Sequence, residues 1–288
     1  MGSHGPMVRN VVFVLVSLVL AMVSPSRAAA DEIAPELETL ELRQKARAEM
    51  RRVFGGLAEK DRRRLVGAYL AIDPSAEDPI AQAACDDDGD YVVVVSDAML
   101  RLVANVARAQ SYDEDDPNAR HVEEYASYLA RAQLPRRRIL PPLPGFYAGE
   151  KAAPTAEERL REAVAFVVAR ELAVLRAGDL VCPHPTATKE HGDDVWTDAE
   201  QKSARDIARR IYPSASGRDD EAIATTFDVG RGADGAIGVL RFFTQLEIER
   251  AATSGRFAPG YLTTHPGSAT RLAAIRAAQL RRPTRKGP

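Results

Sequence analysis

The amino-acid sequence predicts an α+β protein that is mostly helical and has one small β-sheet. Apolar residues recur at helical spacing along most of the chain, and breaks rich in Gly, Pro and Asp separate these stretches. One stretch differs: Tyr91–Ser96, YVVVVS, is a run of β-branched residues after an Asp-rich turn, which is typical of a strand. With 288 residues, 45% of them hydrophobic, the chain is long enough to bury a sizeable core.

The N-terminus is predicted to be a signal peptide, residues 1–30, followed by a single domain, residues 31–288. Arg9 precedes an apolar run from Val11 to Val23, and Ala28–Ala30 supplies an Ala-x-Ala cleavage site. The apolar run is short for a membrane span, which needs about 20 residues. We therefore expect export to the periplasm or the medium, with no membrane span left after cleavage.

The charge of the mature chain gives no indication of a nucleic-acid partner. Cleavage removes Arg9 and Arg27 and no acidic residue, so 37 Lys and Arg remain against 41 Asp and Glu, a net charge of −4. Nucleic-acid-binding domains usually carry a basic patch or stripe and a high isoelectric point. A start at Met7 instead of Met1 leaves this balance unchanged.

Two cysteines, Cys85 and Cys182, remain in the predicted mature chain. In an oxidising compartment we expect one disulfide between them. The bond requires the fold to bring their Cα atoms within bridging range.

The first half of the chain is predicted to contain two helices and a hairpin. The helices cover Pro35–Phe54 and Glu59–Ile72, and Gly55-Gly56 separates them. The hairpin joins an extended segment, Ile80–Cys85, to the Tyr91–Ser96 strand through the Asp-rich turn.

Further helices are predicted on both sides of the centre of the chain. Asp97–Gln110 is one, with its first residue as the N-cap, and Asn118–Gln133 is the next. The acidic residues 113–116 between them are expected to be a solvated loop. Near the C-terminus, helices are predicted to begin at Thr197, to cover Gly235–Ala252, and to end the chain.

The central stretch, Thr155–Cys182, is predicted to be one long amphipathic helix that opens with a capping box of Thr155 and Glu158. Its second half contains Arg170-Glu171-Leu172-Ala173-Val174 where a zinc-protease helix would have His-Glu-x-x-His. That motif binds one metal because residues i and i+4 share a helix face. On its own, a charged pair inside a helix usually indicates an exposed face or a salt bridge.

Three other segments change this interpretation. Ala81–Leu100 precedes the Ala165–Leu175 helix segment, Ala204 lies in a helix after it, and Thr264-His265-Pro266 with Arg271 comes last. Together the four segments resemble, in order, the zinc-peptidase family of the CAAX prenyl proteases, HtpX and the periplasmic BepA-like enzymes, which are gluzincins of the HExxH type. The resemblance implies a zincin-like metallopeptidase domain with a small β-sheet beside the active-site helix. In that family the strand of the first segment lies along the active-site groove and can pair with an extended substrate backbone.

The same resemblance implies that the metal site is degenerate. By position, the two zinc-ligand histidines are Arg170 and Val174, and the third-ligand glutamate is Gln201; Glu200 is a candidate only after a one-residue shift. Only Glu171, the general base, is retained. Arg has no free lone pair and Val has no donor atom, whereas zinc catalysis needs three protein ligands and an open water position. An Arg at the metal position could instead form an ion pair with Glu171 or Glu200.

The sequence leaves three functional hypotheses. The first is an exported member of the family that has lost zinc and peptidase activity, needs no cofactor, and keeps the groove for a peptide or protein. The second is an active zinc metalloendopeptidase with non-standard ligands, for which Glu200, His184 and His265 would have to converge. His265 lies near the cleft in the family, and a structural role at the turn before the last helix fits it equally well. The third is a helical structural or interaction protein, in which the Tyr91–Ser96 strand would not flank the Thr155–Ala177 helix.

Overall fold

Helices dominate the described part of the chain, and three short strands form its sheet. The computed structural model describes residues 27–116, 118–143, 146, 155–183, 185, 206–207, 210, 218–253 and 257–281. The chain divides into two compact units, Met1–Leu37 and Glu38–Pro288. The helices of the described residues are α1 (Arg27–Gly56), α2 (Glu59–Arg64), α3 (Asp97–Asp115), α4 (His121–Ala132), α5 (Ala156–Ala177), α6 (Arg218–Asp228), α7 (Asp234–Thr253), α8 (Gly260–Thr264) and α9 (Ser268–Arg281). The predicted α+β, mostly helical class is confirmed.

The sheet consists of β1 (Tyr69–Asp73), β2 (Ala81–Cys85) and β3 (Tyr91–Ser96), in the order β1-β3-β2. The predicted hairpin is confirmed, because β2 and β3 pair antiparallel with Cys85 opposite Tyr91. The predicted helix over Glu59–Ile72 is wrong beyond α2. Its second half is strand β1, which pairs parallel to β3. A short apolar run fits a buried strand and a helix equally well, so periodicity alone did not separate the two.

Strand β3 is the central strand and is buried on both faces. One face of the sheet packs on the main core and the other forms a second, smaller apolar cluster. This explains the uninterrupted valine run, because a strand covered on both sides needs no alternation of polar and apolar residues. The topology also bears on the expected groove: among the described strands β1 and β2 are the edge strands, and β3 is paired on both sides, so β3 has no free edge for a substrate backbone.

Helix α5 is the central helix of the fold. It packs against α3, α6 and α7 and reaches the β2 and β3 strands. Nearly every residue from Leu160 to Leu175 is buried, as expected for an interior helix. Gly178 ends it in a left-handed conformation (φ 80°), and its N–H bonds back to the carbonyls of the last turn. The predicted capping box is wrong, because the Thr155 hydroxyl contacts Ser111 and Glu114 instead of the helix backbone.

Two further local predictions are corrected in α3. Ser96, not Asp97, caps the helix, because its hydroxyl accepts a backbone N–H from the first turn at 3.0 Å. Asp97 instead accepts two hydrogen bonds from Arg43 of α1. Asp113 was expected in a solvated loop, yet its side chain is 5% exposed and pairs with Arg241 of α7.

The C-terminal third contains a helix that the sequence did not predict. Helix α6 lies between the helix predicted to begin at Thr197 and the one predicted over Gly235–Ala252, which α7 confirms. Most of the helix predicted to begin at Thr197 lies outside the described residues, as does most of the predicted signal peptide. No helix in the described ranges combines the length and the apolar character that a membrane crossing requires.

A disulfide joins Cys85, at the end of β2, to Cys182, five residues past the end of α5. The Cα atoms are 5.5 Å apart and the sequence separation is 97 residues. The predicted pairing is therefore confirmed. The bond fixes the C-terminal end of α5 to the strand that its middle already contacts.

Candidate functional site

Glu171 lies in the middle of α5, and its side chain is 0% exposed. Helix α5 places the carboxylate against the edge of β2, where Oε2 accepts the backbone N–H of Ala83 at 3.0 Å. The other oxygen, Oε1, is 3.0 Å from Nε2 of His265. Both oxygens are therefore hydrogen-bonded within the protein, which a fully buried carboxylate requires.

His265 follows the short helix α8 and is as deeply buried as Glu171, with its side chain 0% exposed. Its ring stacks on Tyr261 at 4.2 Å between centroids, and Nδ1 is 2.8 Å from the hydroxyl of Thr264. Burial lowers the pKa of His265 to about 4, against the opposing effect of Glu171. The imidazole is therefore neutral at pH 7, and we infer that Nε2–H donates to Glu171.

Arg170 has a partner that the sequence did not predict, Asp219 in the first turn of α6. Its Nε is 3.5 Å from Asp219 Oδ1, and its side chain is 4% exposed. Arg271 of α9 donates two hydrogen bonds to the same carboxylate, at 2.8 and 2.9 Å. Burial alone would raise the pKa of Asp219, but the hydrogen bonds and charge of Arg271, with the charge of Arg170, lower it.

Arg271 ties this ion pair to the histidine. Besides Asp219, it contacts the carbonyl of His265 at 3.3 Å and the hydroxyl of Tyr261 at 3.1 Å. The result is one connected set of side chains from α5, α6, α8 and α9 and the turn after α8, which we name the buried polar cluster. Its members are Arg170, Glu171, Asp219, Tyr261, His265 and Arg271.

Formal charges cancel within the buried polar cluster. Two guanidinium groups face two carboxylates, and His265 is neutral. Removing charges from water is costly unless each ion is paired and hydrogen-bonded. Within the cluster, Asp219 is paired with both arginines and Glu171 is hydrogen-bonded at both oxygens. The positive charge at the first ligand position of the zinc-protease motif is that of Arg170.

The remaining predicted ligand positions do not supply donors among the described residues. Val174 lies one turn after Arg170 and is fully buried in the apolar core. Gln201, Glu200 and His184 lie outside the described residues. Within the described ranges, no group of three or more His, Cys, Asp or Glu side chains is placed to hold a metal ion. Arg170 and Val174 do not fit a zinc ion, whichever residues stand nearby.

A small cavity of about 210 Å³ lies beside β2 and α8. Gln82 of β2 lines it and is 2% exposed, and its Nε2 has no hydrogen-bond partner among the described residues. The opposite wall includes Gly260 and the two threonines of α8, Thr263 and Thr264. The cavity therefore offers a buried amide N–H that an acceptor from another molecule could satisfy.

Sequence reasoning missed Asp219 and the backbone contact of Ala83. A signal for the first was present, because Arg218-Asp219-Asp220-Glu221 is an acidic stretch of the kind that begins helices. No sequence signal marks the second, since it involves a backbone N–H of an alanine.

No protein-family model, curated protein or solved structure matches the chain. The functional conclusion therefore depends on the residues and their geometry.

Replacing Asp219 with asparagine should destabilise the fold by about 3–5 kcal/mol, because it leaves two buried arginines without their shared counter-charge. Urea unfolding at pH 7 measures the change. Asp220→Asn is the matched control, since Asp220 is exposed and adjacent and loses the same charge. Equal, small effects of the two substitutions would contradict the assigned role of Asp219.

His265 should make the fold sensitive to acid. The pKa of a histidine in an unfolded chain is about 6.5, and burial lowers that of His265 to about 4, so the unfolded chain takes up a proton that the folded chain excludes. The stabilisation is complete above pH 6.5 and is lost as the pH falls toward 4. Between pH 7 and 4.5, wild type should lose about 2 kcal/mol more unfolding free energy than His265→Gln, which keeps an N–H donor for Glu171. Parallel pH profiles of the two proteins would exclude this assignment.

Proposed function

We propose that this chain is an exported, non-catalytic member of the zinc-metallopeptidase family named above, with a zincin-like domain. The four motif segments support this proposal by their order in the sequence. The fold supports it as well, because a small sheet lies beside α5 and the His-Pro segment meets the helix at Glu171. On this proposal, the metal centre of the family has been replaced by the buried polar cluster.

The observation that carries the proposal is the double hydrogen bonding of Glu171. A general base must reach the proton of a water molecule near the substrate. Both oxygens of Glu171 are instead bonded to protein groups, and its side chain is 0% exposed. The arrangement favours a structural carboxylate that joins α5 to β2 and to the segment after α8.

The charges of the buried polar cluster also favour a non-catalytic role. A zinc ion lowers the pKa of its bound water to near neutrality, and a guanidinium group cannot bind water in that way. Arg170 has no lone pair for a metal and is engaged by Asp219. On this proposal, Arg170 supplies the positive charge that balances the buried carboxylates in place of a metal ion. The Lewis acid on which this peptidase chemistry depends is then absent.

A binding role follows from the surroundings of β2. Although Glu171 occupies the Ala83 N–H, the cavity lined by Gln82 remains beside the strand, and the Gln82 amide N–H has no acceptor within the described ranges. An extended peptide could place a backbone or side-chain carbonyl there, with the Thr263 and Thr264 wall opposite. We propose a peptide or unfolded protein as the partner.

The second hypothesis, an active metallopeptidase, retains one supporting observation. Glu171 and His265 are 3.0 Å apart, so two groups able to bind a metal already meet. They meet as a hydrogen-bonded pair, and a metal would have to displace that bond. The third hypothesis, an unrelated helical scaffold, predicted that β3 would not flank α5, whereas α5 contacts both β2 and β3.

Purified mature protein should bind less than about 0.1 zinc per chain after dialysis against zinc-free buffer, and should not cleave unfolded casein. The combined variant Arg170→His, Val174→His and Gln201→Glu restores the three ligand types of the family. It should bind about one zinc per chain, measured by elemental analysis. Adding Glu171→Gln to this variant provides the control, because it should retain zinc without gaining proteolysis. Stoichiometric zinc and chelator-sensitive casein cleavage by the wild type would overturn the proposal.

Replacing Gln82 with methionine should stabilise the free protein by about 1 kcal/mol, because it removes a buried amide without a partner and keeps the side-chain length. The same change should weaken binding of carboxymethylated casein, followed by fluorescence anisotropy. Gln279→Met on α9 is the control, since that amide is already bonded to Asp234. Unchanged casein binding by Gln82→Met would remove the cavity from the proposed peptide site.

A further inference from the structure

A second, larger cavity of about 570 Å³ lies on a different part of the fold and is lined mainly by basic side chains. Residues of α1 form most of its wall, and α5 and the turn before α7 complete it. Its lining contains five cations and one carboxylate, and none of the six belongs to the buried polar cluster. The charged lining residues are Lys45, Glu49, Arg51, Arg52, Arg161 and Arg231.

Carboxylates hold three of these cations in place. Glu157 accepts a hydrogen bond from Lys45 at 2.7 Å and another from Arg161 at 2.9 Å, which connects α1 to α5. Glu49, which is 4% exposed, accepts two hydrogen bonds from Arg231. These three cations are therefore oriented by the fold before any ligand arrives, which lowers the entropic cost of binding to them.

Two arginines of the wall have no close carboxylate in the described part of the chain. Among the described residues, the carboxylates within ion-pair distance of the five cations are Glu41, Glu49 and Glu157. The charges of Glu158 and Glu162 act on Arg231 as well, which lies before α7, whereas Arg51 and Arg52 lie on α1. Arg51 and Arg52 are exposed at the cavity, and Arg52 approaches Glu49 only to 3.9 Å. These two guanidinium groups have donors to spare for a ligand.

We propose that this cavity binds a phosphate group carried by a small molecule or by a lipid. Arginine guanidinium groups match the geometry of phosphate oxygens and donate to them in pairs. A volume of about 570 Å³ lies in the range of small-molecule sites. A phosphate group would supply the counter-charge for Arg51 and Arg52, which are exposed at the cavity. The site is independent of the peptidase ancestry and of the peptide-binding role.

Inorganic pyrophosphate is the probe, titrated by calorimetry at about 0.15 M salt, where long-range attraction between exposed charges is screened. Wild type should bind it with one site per chain. Arg51→Gln with Arg52→Gln should weaken binding about tenfold. Arg137→Gln with Arg138→Gln is the matched control: it removes the same charge from an exposed loop that does not line the cavity, and should change the affinity less than twofold.

The two sources of phosphate are separated by vesicle sedimentation. Binding to phosphatidylglycerol vesicles but not to phosphatidylcholine vesicles, with displacement by pyrophosphate, would identify a lipid headgroup. Pyrophosphate binding without sedimentation would identify a soluble ligand, and either result supports the site. Equal weakening by both double variants, or the absence of binding to pyrophosphate and to both vesicles, would overturn it. Arg161→Gln removes a cation that lines the cavity from α5 and should also weaken pyrophosphate binding. Its unfolding midpoint, compared with that of the wild type, shows that the variant is folded.

Discussion

The carboxylate of Glu171 joins three parts of the fold that are distant in sequence. It is fully buried, and its two oxygens bind the Ala83 N–H of β2 and the His265 ring after α8. A buried carboxylate without partners would cost several kcal/mol, so the position of each partner is constrained by it. Glu171 therefore links α5 to the edge of β2 and to His265, whose ring is also held by stacking on Tyr261.

The charge of Arg170 explains how the buried site can exist without a metal ion. In a zinc site, a divalent cation balances the carboxylates and leaves a position for water. Here Arg170 and Arg271 share Asp219, and the low pKa of His265 keeps that ring neutral, so the interior is balanced without a metal. An internal ion pair of this kind stabilises one arrangement of the surrounding helices, because removing either partner leaves a buried charge.

Much of the scaffold could be predicted from sequence, because its signals are local. The β2–β3 hairpin, helix α5 and the Cys85–Cys182 bond each follow from a short pattern or from the expected compartment. Strand β1 could not be predicted, since Leu-Ala-Ile suits a helix until a neighbouring strand is known. Thr155 likewise carried a capping signal that tertiary contacts with Ser111 overrode.

Some residues of the candidate site could be predicted from sequence and others could not. Glu171 and His265 could be selected from sequence because each sits in a motif that resembles a family pattern, and the structure brings them to 3.0 Å. Their other partners could not: the acidic stretch around Asp219 indicates the start of a helix but not its pairing with Arg170, and no sequence signal marks the Ala83 N–H. The proposed function depends on how Glu171 and its neighbours pair with these partners. That pairing is set by the tertiary fold.

The most direct test of the closed site is the state of the His265 ring in the presence of zinc. Two-bond ¹H–¹⁵N correlation spectra at pH 7, assigned with His265→Gln, report the protonation of each ring nitrogen. The account predicts a neutral ring with its proton on Nε2, donated to Glu171, and no change on adding equimolar zinc. A zinc-dependent shift of Nε2, together with loss of that proton, would show metal ligation and contradict the account.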